Sequence, residues 1–353
     1  MSHPYLHILS FILLLSACTG GEEHAGGEVD PVPPGEMVAV SFSSKLYLEP
    51  VTKAIGVSDP GKGNLEENAN VAIRAYKQAT GSSPSSALLA RQDYKVENNG
   101  DLTVATEGGE PIYLGAGLYT FYALSVNAAG TGEGSLPPEL KSTTSLETVA
   151  LKNQTDYLYC EVNQAISLNV ENKATVNLAF ERLAARIQMT IVSEGKDDKI
   201  LSATAPTVTL PLTDPADSKI TLGSDVRINP GNPVTDQKDY TELQSAGDIT
   251  TAAGFVADCI LLPMAAATDR VLPVTILFPS VTFNGLGELT NKIYTLKIPV
   301  PADAGFASGK QYNYKVNITG NEIGFAGLTV VAWDGVNGNI PNEDMSEDQE
   351  GNK

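Results

Sequence analysis

The sequence predicts an all-β protein built as two tandem β-sandwich domains. Three observations carry that expectation. Apolar and polar residues alternate over most of the chain, which is the period of a strand with one buried face. Turn-forming clusters interrupt the alternation at short intervals, as in NNGD (98–101), EGGEP (107–111), LGAG (114–117) and GTGEGSLPP (130–138). The strand-like runs form two series of about seven each, the count of a small sandwich, meeting near ERLAARIQ (181–188).

The chain opens on an apolar run from Ile8 to Leu15, broken by Ser10. It is shorter than the ~20 residues of a membrane-spanning helix and fits the ~7–15 of a signal-peptide core. The run ends in Leu15-Ser16-Ala17-Cys18, the pattern of a bacterial lipobox, in which the signal is cut before the cysteine and the thiol is acylated. His3 and His7 precede the run without any Lys or Arg, a departure from the usual positive start. Residues 1–17 therefore read as a lipoprotein signal peptide and Cys18 as the lipidation site. A plain secretory signal with an incidental cysteine is the alternative. Residues 18–36 are Gly, Pro and acid with little to bury, and read as a flexible tether.

The first sandwich is expected over 37–184. Its strands are MVAVSF (37–42), NVAIRAY (70–76), DLTVA (101–105), GLYTFYALSV (117–126), DYLYCEV (156–162), AISLNV (165–170) and ATVNLAF (174–180). NLEENANVAIRAYKQ (64–78) has some helical character, but its β-branched end favours a turn followed by a strand. The second sandwich is expected over 185–336. It holds ARIQMTIV (185–192), TVTLPL (207–212), KITL (219–222), VADCILLPM (256–264), VLPVTILF (271–278), KIYTLKIPV (292–300), QYNYKVNIT (311–319) and GLTVVAW (327–333). The tail, 337–353, is acidic and poor in apolar residues, and reads as disordered.

Composition narrows the function. Lys and Arg number 23 against 42 Asp and Glu, a net charge of −19. No basic groove could neutralise phosphates, so nucleic acid is not an expected partner, nor is an anionic lipid surface. The three histidines, His3, His7 and His24, all precede the first strand. Histidine-based nucleophile activation, zinc ligation and general base chemistry have no residue to work with in the body of the chain. Cys160 and Cys259 sit inside apolar strand-like runs, where a lone cysteine acts as a small buried hydrophobe; a bridge joining the two halves is the alternative.

The remaining motifs carry little chemistry. GVSDPGKG (56–63) places Gly63 where a phosphate-binding loop needs Ser or Thr, and no helix follows. LGAGLY (114–119) lacks the third glycine of a dinucleotide fingerprint and reads as a turn into a strand. Acid pairs Glu66/Glu67, Asp197/Asp198 and Glu343/Asp344 fall in expected loops and the tail, where carboxylates are simply solvated. Tyr113, Tyr119, Phe121 and Tyr122 could stack on sugars, but strand aromatics are more often core. Trp333 reads as a plug at the base of the second sandwich. Neither an enzyme nor a cofactor is expected.

EPVTKAIGVSDPG (49–61) is more informative. Lys53-Ala54 follows the first strand and precedes a glycine-containing loop, a geometry that exposes the bond to a trypsin-like protease. An ordinary surface lysine is the alternative.

Taken in order, the lipobox, the first strand running into TKA, LYLGAGLYTFYALS, NLAFERLAARIQMTI and FASGKQYNYKVNITGNEIGFAGLTVVAW resemble the fimbrillin family of Bacteroides-type bacteria. These are subunits of protease-assembled pili. The resemblance implies two transthyretin-like sandwiches with Greek-key topology and a lipidated precursor on the outer membrane. It further implies removal of the lipidated N-terminus with the first strand by a trypsin-like surface protease, here at Lys53-Ala54. Other pilin subunits then join by strand exchange, and a host or bacterial surface ligand is an implied further partner. Two features depart from the family pattern. The candidate bond follows lysine rather than arginine, and the tail after Trp333 offers only Val336 and Ile340 before turning acidic. Either GLTVVAW is the movable strand, or this subunit accepts a donor without giving one, as at a pilus tip; an uncleaved basal anchor is a further option. A surface lipoprotein that binds glycans through exposed Tyr or Trp333 is the alternative function.

Overall fold

The computed structural model describes residues 37–47, 63, 65–78, 84–168, 174–195, 198–320 and 322–333, the backbone alone at 84–87. Cys18, Lys53, Ala54, the loop 56–62 and the acidic tail lie outside the described residues. Among those described there is no α-helix, and the architecture is all-β as the alternation predicts.

The first half is one eight-stranded sheet that folds round on itself. Its strands are β1 (Val38–Leu46), β2 (Ala69–Gln78), β3 (Pro84–Val96), β4 (Asp101–Val104), β5 (Tyr113–Leu114), β6 (Gly117–Ala129), β7 (Leu158–Ile166) and β8 (Ala174–Arg182). Their order is β4-β3-β2-β6-β7-β8-β1-β5, and a further β4–β1 pairing closes the ring. Inside it lies one apolar cluster that includes Val40, Phe42, Val71, Ile73, Phe121, Leu178 and Phe180.

The second half packs two five-stranded sheets on a shared core. One contains β9 (Ala185–Val192), β13 (Ala246–Asp248), β14 (Gly254–Leu261), β17 (Lys310–Ile318) and β18 (Ile323–Ala332), ordered β13-β14-β9-β17-β18. The other contains β10 (Ile200–Ala203), β11 (Thr207–Leu210), β12 (Thr241–Gln244), β15 (Val271–Phe283) and β16 (Gly287–Pro299). The long β15–β16 hairpin is in register from Val271↔Pro299 to Phe283↔Gly287.

The two halves meet through a third apolar cluster. Tyr76, Tyr122, Leu124 and Tyr159, on the outward face of the first sheet, pack against Ile220, Leu222, Ile228 and Leu262 of the second half. This is why β2 is buried on nearly every residue: its two faces serve two different clusters. Arg227 adds a cation over the Tyr159 ring at 4.7 Å and an ion pair to Glu161 at 3.1 Å.

Three expectations are corrected here. Among the described residues of AISLNV there is no separate strand: Ala165 and Ile166 end β7, and 167–168 lie beyond it. KITL forms only isolated bridges, Glu147↔Thr221 and Ile220↔Ile228, as it crosses the outward face of the first sheet. The thirteen-residue β3 has no counterpart among the expected strands.

Candidate functional site

β1 is seated as a wedge between the two edges of the ring. Alternation in VAVSFSSKL turns Val40, Phe42, Ser44 and Leu46 inward and leaves Ser41 and Lys45 exposed. Phe42 is the anchor: its ring meets Tyr94 edge-on at 5.3 Å and Phe121 edge-on at 5.5 Å. Ser44, polar but buried, is satisfied because its Oγ donates to the Gly100 carbonyl at 3.0 Å.

The backbone of β1 is engaged on both sides. One edge runs parallel to β8, from Val40↔Ala174 to Leu46↔Phe180. The other pairs with β5 at Val38 and Ala39, then with β4 at Phe42 and Ser43. Beyond β1, the Tyr47 N–H donates to the Phe180 carbonyl at 2.6 Å. Burying Val40, Phe42 and Leu46 contributes roughly 1.5–3 kcal/mol each. Their sum approaches the ~5–15 kcal/mol that stabilises a whole domain. Removing β1 would bare the β8 edge and the pocket between Tyr94 and Phe121 together. The candidate bond, Lys53-Ala54, lies in sequence between β1 and β2, seven residues beyond Leu46.

β18 has the opposite character. It pairs only with β17, across a register shift at Lys315/Val316, and closes one edge of its sheet. Phe325, Val330 and Val331 are 43%, 47% and 41% exposed, and none of its ten residues is charged. Edge strands normally carry charge, proline or a cover to prevent pairing with other chains. β18 lacks charge and proline.

Its C-terminal end is nonetheless fastened. Trp333 is 6% exposed, in keeping with its reading as a plug and not available as the sugar platform of the alternative function. Its N–H donates to the Gly309 carbonyl at 2.8 Å, and its carbonyl accepts from Arg182 Nη1 at 3.0 Å. The Arg182 guanidinium stacks over the indole at 4.5 Å and forks onto Asp156, with Nε 3.1 and 3.0 Å from the two carboxylate oxygens. Burial pushes the Asp156 carboxyl up, against the pull of Arg182. Arg182 ends β8, the strand that holds β1, so one strand grips both the first and the last described strands. Chain order foretold the position of Trp333; no local signal foretold a partner 151 residues away.

The other singled-out residues are not gathered here. Tyr119, Phe121 and Tyr122 are buried, whereas Tyr113 is exposed. Glu66 and Glu67 lie exposed at a turn. Cys160 and Cys259 are free and buried in different clusters, each thiol pushed up to about 12 by burial.

The sequence matches the profile of the family described as fimbrillin-like over residues 52–333. The chain belongs to the fimbrillin-like family. The matched span opens beside Lys53, after β1, and ends on Trp333. No curated protein matches the sequence. Two solved structures share the fold of this fimbrillin-like chain. One is a candidate cell adhesion protein from Bacteroides uniformis, 16% identical with a TM-score of 0.51, the alignment covering 86% of this chain and 100% of the other. A second, from Bacteroides ovatus, is 16% identical with a TM-score of 0.53, covering 84% of this chain and 98% of the other. Family membership makes this a fimbrial, cell-surface protein of the kind that assembles with other pilin subunits.

Proposed function

We propose that the chain is a structural and adhesive pilus subunit, exported as a precursor that Cys18 tethers by lipid to the outer membrane. A trypsin-like surface protease cuts at Lys53-Ala54 and removes the tether together with β1. The vacated slot beside β8 then takes a strand from another subunit, with backbone pairing for affinity and alternate side chains in the Val40, Phe42 and Leu46 positions for register. The two halves, 37–184 and 185–336, act as two tandem domains, the first supplying the acceptor slot. The observation that carries this reading is the seating of β1. It is bonded along both edges, holds the core's anchor, and is joined to the rest of the chain through a stretch containing Lys53.

β18 is the donor this reading favours over the short acidic tail: an uncharged, half-exposed strand held at its end by Trp333. Limited trypsin digestion of the purified precursor tests the proposal. A folded product beginning at Ala54 that binds a synthetic VAVSFSSKL peptide is expected. Resistance at Lys53, or a clipped product that unfolds and ignores the peptide, contradicts it.

A further inference from the structure

The outward face of the β11–β15–β16 sheet carries a groove that strand exchange does not use. It has a volume of about 490 Å³, within the range of small-ligand sites. Its floor is a straight row of hydroxyls. Thr209 on β11 pairs with Thr275 on β15, and Thr275 pairs with Thr295 on β16. The three side chains share one face because Val208, Leu210, Val274, Ile276, Tyr294 and Ile298 fill the core on the other. Strand spacing sets the hydroxyls roughly 4.8 Å apart.

The walls are built from different elements. The 3-10 turn Gln237–Asp239 carries Gln237 and leads into Tyr240, and Asp236 caps it by accepting from the Lys238 N–H at 3.1 Å. At the far end Lys297 stands beside Pro273, its cross-strand partner. Among the described residues, the side-chain polar groups of Thr209, Thr275, Thr295, Gln237, Tyr240 and Lys297 have no protein hydrogen-bond or ion-pair partner.

These groups select a ligand class. Hydroxyls and an amide offer both donors and acceptors, an aromatic ring supplies a flat apolar surface, and the lining contains one cation and no carboxylate. A peptide strand adds along an unpaired sheet edge, whereas β11 and β15 under the groove are hydrogen-bonded on both sides. An apolar ligand would strand the hydroxyls, and a lining with Lys297 as its single cation can meet one carboxylate but not the successive phosphates of a nucleic acid. We propose that this groove binds an extended saccharide bearing a carboxylate. One sugar lies on Tyr240, the chain crosses the threonine row, and the carboxylate meets Lys297. Glu242, which pairs with Thr209, lies at the opposite end of the row from Lys297, so the field along the groove orients the acid toward β16.

An array of uronic-acid and neutral oligosaccharides, probed with the purified full chain, tests the site. Binding to uronic-acid oligosaccharides is expected, and Tyr240→Ala and Thr275→Val should each weaken it by about tenfold or more. Lys297→Gln should abolish the preference for uronic acid over neutral sugar. Tyr113→Ala, at an exposed tyrosine of the first half, should change nothing. A blank array, binding that survives both Tyr240→Ala and Thr275→Val, or a preference unaltered by Lys297→Gln overturns the assignment. Digestion at Lys53 is independent of this outcome, so failure here leaves the assembly reading to its own test.

Discussion

Single residues decide how firmly the two end strands are held. Phe42 fills the space between Tyr94 and Phe121. Phe42→Ala should therefore destabilise the precursor by about 3–5 kcal/mol, measured by denaturant unfolding. Arg182 answers the Asp156 carboxylate and holds Trp333. Arg182→Met would leave Asp156 buried without its counter-charge, with the Asn127 side chain as a remaining polar neighbour, at a cost of about 3–5 kcal/mol. Hydrogen exchange should then quicken at Thr329–Ala332 more than in β17. The cysteines provide a built-in probe. Both thiols sit at about 12 through burial and should ignore thiol reagents at pH 8 in the precursor. Cys160 belongs to the cluster that β1 completes and Cys259 to the other core, so loss of β1 should expose Cys160 alone to labelling, read by mass spectrometry.

At the scale of elements, much was legible and the misses have physical causes. Alternation located β8, β9 and β17 closely and the start of β1, which runs four residues past the expected end to Leu46, since each has one face on a core. β3 escaped because ALLARQ breaks the alternation and its pairing with β2 is itself irregular at Ala75/Tyr76. KITL misled because apolar residues covering another sheet's outward face look like strand residues. The candidate groove was invisible in sequence, because the Thr209–Thr275–Thr295 row exists only once three strands are in register. β18 was legible as the last strand, but not its exposure. Adding charge there should matter for association alone: Val330→Lys, on a side chain 47% exposed, should leave the unfolding free energy within about 0.5 kcal/mol of the parent while reducing self-association of the clipped chain, measured by light scattering.

At the scale of the whole molecule, the halves are tied by the outward cluster and by charges around Glu147. Hydrogen bonds from Lys219 and Lys141 pull the Glu147 carboxyl down to about 2. A depressed folded value means the contribution is present above the ordinary ~4.3 of a free Glu and fades as pH falls toward 2. Protection factors in residues 146–151, taken relative to the intrinsic exchange rate at each pH, should therefore fall between pH 4 and pH 2 and stay level from pH 5 to 8. Over the same scale, β8 joins the two ends of the chain, β1 along its length and Trp333 at Arg182. Under the proposed assembly, that arrangement would keep the slot filled by β1 and the end of β18 fastened until β1 is withdrawn. The central claim is that withdrawal, and the N-terminal residue of the subunit recovered from sheared surface filaments tests it most directly. The account predicts Ala54. An acylated Cys18 on the filament subunit would contradict it.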